Sequence, residues 1–263
     1  MLIDAHTHIY PEKIAEKATS SIGDFYELPM AASIGNVEGL LNSGKAAGVD
    51  RYLICSVATS PLQTRTITNY IKTEVDLHPE FFGLGAYHQD NIPKEEIEYI
   101  ISSGLKGIKI HPDFQKCAID DEKFCNLYEE MGDKLPILIH MGDKRYDYSH
   151  PKRLANVLNK FPKLKVIAAH LGGYQAWGEA VAELTSFVKK GNIRFDESSS
   201  LAFLSKEKAK EIIRHYGAEN IFWGSDFPMW SHKSEVELIE SLGLNSNELD
   251  WIFYKSITEF FGL

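Results

Sequence analysis

Cysteine is scarce in this chain, and no two of its cysteines are spaced to work together. There are three, Cys55, Cys117 and Cys125, without a CxxC pair. An odd, scattered set excludes a disulfide framework, and we read all three as reduced, cytoplasmic thiols. Basic charge is also short. Lys and Arg total 28 against 37 Asp and Glu, for a net charge of -9. That balance argues against nucleic acid or an anionic membrane as the main partner, because both need basic patches. No apolar run approaches the roughly 20 residues of a membrane span. No basic and then apolar leader precedes the first strand, so a cytoplasmic location is expected. Linkers, low-complexity tracts and charge blocks are missing too, which leaves nothing to divide the chain. A G-x-G-x-x-G after the first strand is absent, and an open dinucleotide-binding sheet loses its main support.

What is there is a rhythm. The 263 residues are 44% apolar and 25% charged, ordinary values for one globular domain with a full core. Short apolar runs recur at 2–8, 51–57, 81–87, 105–111, 136–140, 165–170, 192–198 and 221–226. Most are apolar almost continuously, as parallel strands covered on both faces must be. Amphipathic stretches lie between them. In 94–104, Ile97, Ile100 and Ile101 have helical spacing and Gly104 follows as a stop; 205–217 opens on Ser205 as an N-cap and closes on Gly217. Eight strands alternating with helices predict an α/β fold of the (β/α)8 TIM-barrel type, a single domain over 1–263. A doubly wound open sheet is the weaker alternative. One segment breaks the rhythm: about 11–35, with a short helical stretch after Pro11 and then "GDFYELPM", reads either as a lid over the barrel mouth or as apolar packing on the outer wall.

The polar residues fall at the strand ends. The first run closes on His6-Thr7-His8, and side chains two apart on a strand share a face. If that face is the barrel interior, both imidazoles reach one point, as half of a metal site. His111, His140 and His170 end the fourth, fifth and sixth runs, and Asp226 ends the eighth. Strand ends of a barrel converge on one pocket. His6, His8, His140, His170 and Asp226 therefore form one constellation spread over 220 residues. Lys109 shares the face of His111 and is ambiguous. Either it bridges two metals after carboxylation, or it holds a substrate carboxylate, or it only packs its stem. His111 is either a contact to the site or a cap for the loop at Pro112. Lys144 and Arg145 either bind an anionic group of the substrate or stay in a solvated loop. Trp230 either lines the pocket or packs against the last helix.

The stretches "DAHTHIYP", "GIKIHP", "LIHMG", "AAHLGG" and "GSDFP", in this order, resemble the amidohydrolase superfamily, most of all its amidohydrolase-related branch with the relatives of aminocarboxymuconate-semialdehyde decarboxylase. The resemblance spans the chain. It implies a (β/α)8 barrel in which His6, His8, His140 and Asp226 bind a divalent metal ion, most often Zn2+. It further implies that His170 is catalytic or a ligand of a second metal. On that reading the enzyme is a metal-dependent hydrolase of a small molecule. Asp226 is its general base, and His170 stabilises charge on a substrate oxygen. The alternative is a non-oxidative decarboxylase, a lyase acting on a small unsaturated or aromatic carboxylic acid. One metal is favoured over two. A metal-dependent deoxyribonuclease of the same barrel is disfavoured, since "GLGAYHQD" offers no glutamate and the charge is negative. A metal store without turnover would not need a positioned base. The expected partner is a small-molecule substrate, and a homodimer is compatible with such barrels.

Overall fold

The computed structural model describes residues 1–32 and 34–263. Its strands are β1 (Ile3–His8), β2 (Arg51–Cys55), β3 (Phe81–Gly83), β4 (Gly85–Ala86), β5 (Ile108–Ile110), β6 (Ile137–Ile139), β7 (Val166–Ala168), β8 (Ile193–Asp196) and β9 (Ile221–Phe222). Every paired neighbour is parallel, in the orders β1-β2-β3 and β4 to β9. The third apolar run is interrupted at Leu84, whose N–H donates to Ile54 O at 3.0 Å. β3 and β4 are thus two halves of one barrel strand, and the strands number eight. Ala5 N–H to Trp223 O at 2.9 Å and His8 N–H to Phe227 O at 2.7 Å close the ring. The (β/α)8 barrel read from the alternation is the fold.

Two apolar clusters explain why the runs lack alternation. Ile108, Ile110, Ile137, Ile139 and Val166 point outward, into a cluster with helix residues such as Ile71, Leu127 and Leu154. Ile3, Ala5, Leu53, Leu138 and Ile167 point inward, and Ile257 with Phe260 and Phe261 seals that interior at the C-terminal end of the chain. Both faces of most strands are buried, so most runs are apolar almost throughout.

Strict alternation would put His6 and His8 opposite Ile3 and Ala5. The register shifts between Asp4 and Thr7, where β1 spends three residues against two of β2. Such a bulge re-aims the residues after it. His6 and His8 are thereby among the groups lining the chamber at the strand ends.

The helices include α1 (Glu12–Tyr26), α2 (Val37–Ala47), α3 (Thr64–Leu77), α4 (Pro93–Ser102), α5 (Pro112–Gln115), α6 (Glu122–Met131), α7 (Pro151–Lys160), α8 (Trp177–Val188), α9 (Lys206–Tyr216), α10 (His232–Glu240), α11 (Ser246–Asp250) and α12 (Ser256–Phe261). Of the segment 11–35, Glu12–Tyr26 form one helix, α1, of 15 residues, longer than the short helical stretch expected after Pro11 and reaching into "GDFYELPM". It runs on through Gly23, where an added Cβ would stand 3.0 Å from Leu28 O and 3.1 Å from Met30 Cγ. The glycine lets the chain double back closely after the helix ends at Glu27, at φ 56°. Of the segment 11–35, Ser33 lies outside the described residues.

Candidate functional site

Three donor atoms form a tight triangle at the barrel mouth. His6 Nε2 and His8 Nε2 are 3.2 Å apart. Asp226 Oδ1 is 3.7 Å from the first and 3.4 Å from the second. Donors at about 2.0–2.2 Å around a tetrahedral cation stand about 3.4 Å from one another. The other ring nitrogens are turned elsewhere. His6 Nδ1 meets Asp196 Oδ2 at 3.2 Å and Ser198 Oγ at 3.1 Å. His8 Nδ1 faces Cys55 Sγ at 3.7 Å. With a proton on Nδ1 of each ring, directed outward, both imidazoles would present Nε2 lone pairs to the centre, and two lone pairs cannot hydrogen-bond each other. The donor set therefore fits a bound cation. Lys109 Nζ, 3.0 Å from His6 Nε2, is the positive group that meets it here. Lys109 is fully buried, and burial pulls its ammonium below its ordinary range.

Asp226 is held from behind. Ser199 Oγ donates to Asp226 Oδ2 at 2.7 Å, and Trp230 Nε1 donates to Ser199 Oγ at 2.9 Å. Trp230 thus supports the carboxylate through Ser199. Asp226 and Ser199 have positive φ, 53° and 60°, and His170 has 59°. Non-glycine residues in this region are strained, and such strain concentrates at functional sites. Burial alone would push the Asp226 carboxyl up. His6, His8 and His170 reverse that and hold it below the usual carboxylate range. Burial pushes the His6, His111 and His140 imidazoliums well below their ordinary range.

A second row of rings continues the network. His170 Nδ1 donates to Ser198 O at 2.8 Å, which leaves its Nε2 as an acceptor for His140 Nδ1 at 3.0 Å. His140 Nε2 is then the free lone pair, and it faces Tyr26 Oη at 3.5 Å and Asp113 Oδ2 at 3.6 Å. His111 combines both roles read for it. Its Nδ1 accepts from Phe114 N at 3.3 Å as the cap of α5, and its Nε2 meets Tyr26 Oη at 2.9 Å. Its ring stacks between Phe114 and His140, with centroids 3.8 and 3.9 Å away. His6, His8, Lys109, His111, His140, His170 and Asp226 all line one chamber of about 20 Å³ under Tyr26. That is room for about one water.

Lys144 is exposed and touches none of this. Arg145 is a clasp. Its Nη2 donates to Asp143 Oδ2 at 2.7 Å and its Nη1 to Phe25 O at 2.5 Å, and its guanidinium lies 4.6 Å from the Phe25 ring centre. It ties the loop after β6 to the end of α1.

Asp196, Ser198, Ser199 and Asp113 carry no role among the sequence expectations, and Tyr26 enters there only within "GDFYELPM", as lid or as outer-wall packing. "DESSS" at the end of the seventh barrel strand was a usable signal for the first three. It is a polar cluster at a barrel strand end, and the polar ends of the first, fourth, fifth, sixth and eighth barrel strands contribute to the site.

A closed parallel barrel that gathers buried imidazoles and a strained, ionised aspartate at one end defines an enzyme of the barrel class. The family model described as Amidohydrolase matches residues 3–263, and the chain belongs to that family. No curated protein matches it. Similar solved structures include 5-carboxyvanillate decarboxylase LigW from Sphingomonas paucimobilis, at 16% identity and TM-score 0.76 over 100% of this chain and 99% of that one. A putative 2-pyrone-4,6-dicarboxylic acid hydrolase from Pseudomonas putida is 18% identical, with TM-score 0.70 over 99% and 97%. A dihydroxybenzoic acid decarboxylase from a Polaromonas species, solved with manganese and an inhibitor, is 14% identical, with TM-score 0.75 over 100% and 97%. These likenesses show the shared fold.

Proposed function

We propose that the protein is a metal-dependent hydrolase that cleaves an acyl C–O or C–N bond of a small molecule with water. The observation that carries this reading is the triangle of His6 Nε2, His8 Nε2 and Asp226 Oδ1, with the second Asp226 oxygen fixed by Ser199. His6, His8 and Asp226 would hold a divalent cation, zinc or manganese, and His140, whose Nε2 faces Tyr26 and Asp113 here, would turn toward them as the fourth donor. When bound, such an ion supplies Lewis acidity toward water and a substrate oxygen. Asp226, ionised at neutral pH, takes a proton from the attacking water and passes it to the leaving group. His170 would hydrogen-bond the substrate oxygen on which charge develops. That role requires a proton on His170 Nε2 as well as on Nδ1, and Nε2 must exchange the His140 contact for the substrate oxygen.

The second reading is a carboxy-lyase, in which the same residues hold a carboxylic acid that loses carbon dioxide. It is favoured by decarboxylases among the structural neighbours. Product analysis in 18O-labelled water, on metal-loaded protein screened against lactones, amides and unsaturated carboxylates, separates the two. Solvent 18O in a carboxylate product supports hydrolysis; released carbon dioxide overturns it in favour of the lyase.

A further inference from the structure

The chamber over the histidines is bounded in part by Tyr10, Ile22, Val57 and Phe114. It adjoins a larger apolar groove of about 700 Å³. One wall is the face of α1 that carries Ile14, Ala18 and Phe25. The other is formed by Leu62, Ile67 and Tyr70, on and just before α3. Tyr10, Ile22, Val57 and Phe114 line both spaces and make the partition between them. Lys17 is the single charged residue among the described groove residues. Leu62 is 89% exposed and Ile14 51% exposed, although each carries a large apolar side chain.

From this continuity we propose that the groove between α1 and α3 binds an extended apolar substituent of the substrate, an alkyl, acyl or arylalkyl tail, while the reactive head occupies the chamber. The inference rests on the reading of the chamber as the reaction site. The sizes carry it. A chamber that admits about one water cannot take a substrate until the Tyr26 phenol leaves the histidines. The groove has the volume of a small-molecule site. Its lining is mostly apolar, so the groove rewards burial of hydrocarbon and offers no counter-charge to a second acidic group other than Lys17. A compact diacid would leave it empty. An amphipathic acid or ester would fill both spaces at once.

The test is titration calorimetry with butanoate, hexanoate and octanoate, below their micellar range, on zinc-loaded and chelator-stripped protein. A fully buried CH2 is worth about 0.8 kcal/mol, or about fourfold in affinity. Octanoate should bind at least tenfold more tightly than butanoate. Ala18→Trp and Thr66→Trp each place an indole in the groove, and each should flatten this series. Circular dichroism selects the variant that is folded. Equal affinity along the series, or a full chain-length gain kept in a folded Trp variant, overturns the proposal. A gain that persists while zinc changes no affinity supports the groove and sinks the metal reading. Zinc dependence without any gain does the reverse.

Discussion

Asp196 Oδ2 lies 3.2 Å from His6 Nδ1, although 190 residues separate them. The carboxylate is fully buried and fixes which imidazole nitrogen carries the proton, so that Nε2 presents its lone pair to His8 and Asp226. Partners of this kind typically tune metal affinity by about 10–100-fold. Asp196→Asn should weaken zinc binding by that factor in a chelator competition, with the circular dichroism spectrum unchanged. Unaltered affinity would remove Asp196 from the account.

Ser199 and Trp230 act on Asp226 in series. Hydrogen bonds to charged groups are worth about 1.5–3 kcal/mol. Ser199→Ala should lower kcat by about 10–100-fold, and Trp230→Phe should do so more mildly, while bound metal stays near the wild-type content. A loss seen only in KM would place both residues in substrate binding instead.

The barrel was legible because burial on both strand faces leaves near-continuous apolar runs, and because helix stops such as Gly104 and Gly217 punctuate them. The histidines and Asp226 were legible because barrel strand ends meet in space. The bulge that aims His6 and His8 inward was not, since it depends on the pairing of β1 with β2 and no glycine marks it. The clasp of Arg145 on Phe25 was hidden for a similar reason. It joins residues 120 apart, and a basic side chain in a loop reads the same whether it awaits an anion or closes a hinge. The length of α1 was underestimated because Gly23 lowers helix propensity, while packing against Leu28 and Met30 overrides that preference.

Lys109→Met tests the metal stoichiometry. Its Nζ meets His6 Nε2 and belongs to the same chamber. On the one-metal reading, elemental analysis should give one equivalent of zinc in the wild type and one in Lys109→Met. Two equivalents in the wild type that fall to one in the variant would instead make Lys109 a bridging ligand.

Glu197 and Glu235 are buried together behind the site, and their carboxylate oxygens have no hydrogen-bond partner among the described residues. Burial, with Asp226 and Asp4 nearby, pushes Glu235 up to about 8 from an ordinary value of 4.5. Burial and Glu235 raise Glu197 as well. The folded chain therefore keeps a proton that the unfolded chain releases, and stability falls as pH rises from about 4.5 to 8. Glu235→Gln cannot ionise. Its Tm should exceed that of the wild type by several degrees at pH 8.5 and differ little at pH 5. Parallel Tm profiles from pH 5 to 8.5 would contradict this.

If His6, His8, His140 and Asp226 enclose one cation at the open end of the barrel, anomalous diffraction at the zinc edge, from crystals of zinc-loaded protein, should show a single strong peak about 2.0–2.2 Å from His6 Nε2, His8 Nε2, His140 Nε2 and an Asp226 oxygen. A peak elsewhere, or none among these side chains at saturating zinc, would contradict it.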